Sequence, residues 1–102
     1  MIIFDLSIEQ GSTFEQLVTL NEDLTGHTIS SDIKDSTGVI TSNIATIADA
    51  NSGAIRMFVT AGNTSVMSIG VGYYDIEITE TSSGKVTKPM KGRVTITGEV
   101  TK

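Results

Sequence analysis

The chain has 102 residues, a formal net charge of −5 and no cysteine. These totals exclude disulfides and thiolate metal sites, and the acidic balance argues against a nucleic-acid partner, because phosphate binding needs clustered Lys and Arg. The length suits one domain spanning 1–102, and with aromatic residues at only 5% the core must come from Ile, Val, Leu and Met.

Residues 2–9 alternate, with Ile2, Phe4, Leu6 and Ile8 on one face, and predict a first strand. This start lacks a basic segment, and Asp5 and Glu9 interrupt its apolar run. The expectation is therefore no signal peptide, no membrane partner and synthesis in a cytoplasm. Gln10-Gly11-Ser12 reads as a turn before a second strand over 13–20, where Leu17 breaks an otherwise polar face. The Asn21–Gly26 loop carries one apolar residue, Leu24, expected to plug the sheet from below. A third strand follows over 27–35 with Ile29, Ser31 and Ile33 inward, then a hairpin turn at Asp35-Ser36-Thr37-Gly38.

The fourth strand is predicted over 39–48 and the fifth over 54–60. The fifth is apolar on both faces, with Ile55, Met57 and Val59 on one and Ala54 and Phe58 on the other, so a loop or a neighbouring subunit is expected to cover Phe58. Residues 62–68 give a short helical crossover capped by Asn63 or Thr64. A strand over 72–80 then places Tyr74, Ile76 and Ile78 inward and Tyr73, Asp75, Glu77 and Thr79 outward. The last strand, 86–97, has Met90, Gly92, Val94 and Ile96 inward, and Pro89 marks a bulge or an edge because it cannot donate to a ladder. Residues 97–102 read as an extended C-terminal arm. About seven strands with turn signals every ~10–14 residues suit an all-β fold, an immunoglobulin-like β-sandwich of antiparallel strands.

Chemistry is hard to place on this pattern. His27 is the only histidine, at a strand start, and no Ser lies in a nucleophile-elbow context. Asp49, Asn51 and Gly53 lack the spacing and the closing Glu of a calcium loop. Ser83-Gly84-Lys85 lacks the earlier glycine and the following helix of a phosphate-binding loop. Lys85, Lys88, Lys91 and Arg93 share one hairpin and read as a solvated face. No catalytic residue, metal or cofactor is assigned. The candidate protein-interface residues are Leu17 and Phe58, which break polar faces, and Tyr73, Asp75 and Glu77 on the outer side of the Tyr-Asp strand.

Three sets of motifs occur in order along the chain. They are Asp5-Leu6-Ser7-Ile8-Glu9-Gln10-Gly11-Ser12-Thr13-Phe14; Asp23-Leu24-Thr25-Gly26 followed by Ile33-Lys34; and Gly72-Tyr73-Tyr74-Asp75, Gly92-Arg93-Val94-Thr95-Ile96 and Val100-Thr101-Lys102. Together they resemble small tailed-bacteriophage virion proteins, similar to the immunoglobulin-like N-terminal domain of baseplate upper proteins that anchor receptor-binding proteins. The adjacent tyrosines depart from the wider aromatic spacing frequent in that family. The resemblance implies a non-enzymatic structural component of the virion, in the tail, baseplate or neck. Its expected partners are other virion proteins and further copies of itself. The alternative is a carbohydrate- or receptor-binding module of a phage fibre, with Tyr73, Asp75 and Glu77 as the contact patch.

Overall fold

The computed structural model describes residues 2–98. Its strands are β1 (Ile2–Ile3), β2 (Leu6–Glu9), β3 (Phe14–Thr19), β4 (His27–Lys34), β5 (Ile40–Ser42), β6 (Ala45–Asp49), β7 (Ala54–Val59), β8 (Gly70–Glu80) and β9 (Val86–Thr97), with one helix, α1 (Ala61–Ser65). One sheet has six strands, in the order β1-β9-β8-β4-β5, with β2 also paired to β9. The other has three, in the order β3-β7-β6. The proposed arm lies outside the described residues beyond Gly98.

Alternation decides which side chains go inward. On β8, Tyr74, Ile76 and Ile78 are buried, and on β9 Met90, Val94 and Ile96 are. From the smaller sheet, Ile55, Met57 and Val59 join the same cluster. Leu24 is buried as expected, and its N–H donates to the Ala50 carbonyl at 2.7 Å, which fixes the loop as a plug. Burying one such aliphatic side chain is worth about 1.5–3 kcal/mol. Ser31, also inward, is satisfied because its hydroxyl donates to the Asp75 carbonyl at 2.7 Å.

Two of the expected strands are each divided. The first breaks at Phe4–Asp5, where the chain crosses Gly92: a Cβ there would collide with the Phe4 carbonyl. The Asp5 carboxylate accepts the Arg93 N–H at 3.0 Å, so polar groups at the break remain paired. Both pieces run parallel to β9, so the sheet is mixed and not purely antiparallel. The parallel pairing was not legible because alternation encodes faces, not strand direction. The second break is at Asn43, φ 59°. Asn tolerates this left-handed conformation, and the turn moves the chain from the six-stranded sheet at β5 to the three-stranded sheet at β6. The reading of 39–48 as one strand is corrected by that switch, and Ile40 is exposed while Ile44 and Ala45 are buried.

Pro89 lies where the β8–β9 register shifts, between the pairs Ile76–Met90 and Ile78–Thr87, so it does mark a bulge. The helix begins before the expected position. Its cap is Thr60, whose side chain accepts from the Asn63 N–H at 3.2 Å, not Asn63 or Thr64. Thr64 is instead fully buried, and its hydroxyl donates to the Ser12 carbonyl at 2.7 Å. Thr60→Ala should cost about 0.5–2 kcal/mol, the usual loss of a cap, measurable by urea unfolding.

Candidate functional site

The outer face of the six-stranded sheet carries two rows of side chains set by strand register. One row runs Ile40–Lys34–Tyr73–Arg93 across β5, β4, β8 and β9. The next runs Ser42–Asp32–Asp75–Lys91–Ile3 from β5 to β1. Tyr73 stands near the middle, 63% exposed, with Ile40 and Ile3 exposed at either end. Between them lies a shallow groove of about 520 Å³. Asp75 forms an ion pair with Lys88 at 3.2 Å, also through solvent-exposed atoms. Such a surface pair is worth at most about 1 kcal/mol. Glu77 is one step further along β8, opposite Ser30. Tyr73, Asp75 and Glu77 therefore do share one face.

Leu17 and Phe58 lie elsewhere, on the outer face of the three-stranded sheet. Leu17 on β3 is 64% exposed and sits opposite Arg56 on β7. Within the chain, a neighbouring side chain of the same strand stands against Phe58. The Arg56 guanidinium lies over the Phe58 ring, 4.3 Å from its centroid, and also pairs with Glu15. A cation over an aromatic face shields part of the ring while staying hydrated. The five candidate residues thus form two separate patches.

Sequence reasoning missed the most organised polar group, Asp35. It is 5% exposed, and Oδ1 accepts from Thr37 N–H at 2.9 Å, Thr37 Oγ1 at 2.8 Å and Val39 N–H at 3.0 Å. Oδ2 accepts the Ser68 N–H at 3.1 Å. The Ser68 bond foremost, and the Thr37 and Val39 donors with it, hold the carboxyl down at about 2, against the opposing effect of burial. Asp35 at the head of a turn was legible as a local cap. Its bond to Ser68 was not, because the two residues are joined only by the tertiary fold. Ser68 follows the helix, so Asp35 fastens the crossover to the β4–β5 turn.

His27, half-buried on β4, donates from Nδ1 to the Thr25 carbonyl at 3.0 Å and has Glu80 3.9 Å from Nε2. Those contacts hold a loop. Among the described residues no group of three or more His, Asp or Glu side chains is placed to hold a metal ion, and no helix is long and apolar enough to cross a membrane. A scan against protein-family models and a search of curated proteins each found no match to this chain.

Proposed function

We propose that the protein is a non-enzymatic structural component of a tailed-phage virion, an immunoglobulin-like β-sandwich that joins or decorates tail, baseplate or neck proteins. The observation that carries this reading is the outer face of the six-stranded sheet. Tyr73, Ile3 and Ile40 are exposed there among Lys34, Arg93, Asp32 and Asp75. An exposed aromatic with aliphatic flanks and charges of both signs has the composition of a protein contact surface. The motif order described above supplies the viral setting. Assembly then proceeds by surface complementarity, repeated by symmetry, with the protein made in the host cytoplasm and ending in the virion.

Mass spectrometry of purified particles should detect the protein, and negative-stain images of labelled particles should place it at one position repeated by the symmetry of the tail, baseplate or neck. Particles that lack it would overturn the reading. A second reading, carbohydrate or receptor binding, is favoured by the groove beside Tyr73, whose volume of about 520 Å³ is within the range of small-ligand sites. A glycan array separates the two: specific binding that is lost in Tyr73→Ala supports recognition, and an empty array supports a purely structural role.

A further inference from the structure

We propose that the free edge of β3 pairs with the same strand of a second copy, forming an antiparallel two-fold dimer centred on Leu17. The proposal names the partner and the contact for the multi-copy role suggested above, and rests on that reading only for its setting.

The edges of the two sheets differ in how they are guarded. The β1–β2 edge is interrupted at Phe4–Asp5, β5 has only 3 residues, and β6 carries a register irregularity between Ile47 and Asp49. Interruptions, short strands and bulges are the usual protections against strand addition. β3 has none of them. It runs for 6 residues, Phe14–Thr19, contains no Pro or Lys, and among the described residues ends its sheet with only β7 beside it. Its one charge, Glu15, is folded back onto Arg56.

Backbone alternation leaves bonding groups on that edge. The Leu20 N–H donates to the Gly53 carbonyl, so Val18, Gln16 and Phe14 point their polar backbone toward β7. Glu15, Leu17 and Thr19 then turn theirs outward. In agreement, the Gln16 side-chain amide donates to the Leu17 carbonyl at 3.1 Å, standing where a partner strand's N–H would be. The inner face is also incompletely covered: Phe14, Gln16 and Val18 are half-buried, whereas Ile55, Met57 and Val59 on neighbouring β7 are buried.

The strand is complementary to itself in one register. Antiparallel pairing of outward-facing groups with outward-facing groups sets Leu17 against the second Leu17 and Glu15 against the second copy's Thr19. Two exposed leucines meet, and no like charges oppose each other. The three-stranded sheet becomes a continuous six-stranded one, and Phe14 and Val18 gain cover across the junction.

The test uses the purified full chain, so its failure is separate from any failure to find the protein on particles. Sedimentation equilibrium should show a monomer–dimer equilibrium, and Leu17→Lys should weaken it at least tenfold, with the melting temperature unchanged at concentrations low enough for both proteins to be monomeric. Register is read by cysteine pairing. Leu17→Cys should cross-link to itself on mild oxidation, since directly bonded pairs hold their Cα atoms about 5.5 Å apart, within disulfide range. Thr19→Cys should not, because the two Cys side chains would be about 14 Å apart along the strands. Thr19→Lys, facing Glu15 of the second copy, should tighten the dimer, and Thr19→Glu should weaken it. A protein that stays monomeric, a dimer indifferent to Leu17→Lys, or equal cross-linking at both positions would overturn the proposal.

Discussion

Tyr74→Ala is expected to destabilise the protein by about 3–5 kcal/mol, the range for removing a large aromatic side chain from a core. Tyr74 is 4% exposed, in the middle of β8, with Ile33 opposite on β4 and Gly92 opposite on β9. Its hydroxyl donates to the Phe4 carbonyl. That carbonyl belongs to the break between β1 and β2, where the chain passes over Gly92. Truncation therefore opens a cavity and also strips a donor from the crossing. Tyr74→Phe separates the two effects: it keeps the ring and should lose only about 1–2 kcal/mol, the cost of one unmet hydrogen bond. Urea unfolding should show the midpoint falling in both variants with the slope unchanged. A loss under about 1 kcal/mol in Tyr74→Ala would mean that the ring is not a core element.

The same hydroxyl gives a pH signature. Burial, and after it the nearby Asp5 carboxylate, push the phenol up to about 12 from its ordinary 10.0. A folded-state value above the unfolded one adds stability that is fully present below about pH 10 and is lost as pH rises toward 12. The stability difference between wild type and Tyr74→Phe should accordingly be flat near neutrality and shrink across that alkaline window.

Asp35→Ala is expected to cost about 2–4 kcal/mol, since hydrogen bonds to an ionised group are strong and their loss leaves donors unmet. The unmet donors include the N–H groups of Thr37, Val39 and Ser68. Loss of the last also frees the crossover from the β4–β5 turn, so amide exchange should rise first over residues 66–69. Here the pH dependence has the opposite sense. The folded carboxyl is near 2 and the unfolded one near 3.8, so the stabilisation is complete above about pH 4 and is lost as pH falls from 3.8 toward 2. The gap between wild type and Asp35→Ala should hold constant from pH 7 to about 5 and close on further acidification. A gap that persists at pH 2 would show that ionisation of Asp35 is not its source. Asp35→Asn should lie between the two proteins, because an amide offers one acceptor oxygen where the carboxylate offers two.

The candidate interface illustrates how far local pattern reaches. Tyr73, Asp75 and Glu77 share an outer face because they are two residues apart on one strand, and period-two alternation states that directly. Leu17 stood out as an apolar residue in a polar position, and it is exposed. Phe58 stood out because its strand is apolar on both faces, and the neighbouring Arg56 lies over its ring. Nothing in a linear pattern says whether a cation two residues away will stack on a ring or extend into water.

The sequence by itself determined that the chain is β-rich, which residues of β4, β7, β8 and β9 turn inward, that Leu24 plugs the core, and that Pro89 interrupts a ladder. These follow from alternation, turn chemistry and the missing proline N–H, all of them properties of a few consecutive residues. Only the tertiary structure decided that β1 and β2 run parallel to β9, that the chain changes sheets at Asn43, that Asp35 reaches Ser68, and that β3 is left as an open edge. Each of these depends on which distant segment supplies the partner for a backbone or carboxylate group. That choice is made by the packing of the whole core, where one strand's pairing excludes another's, and it leaves no mark on the local order of residues.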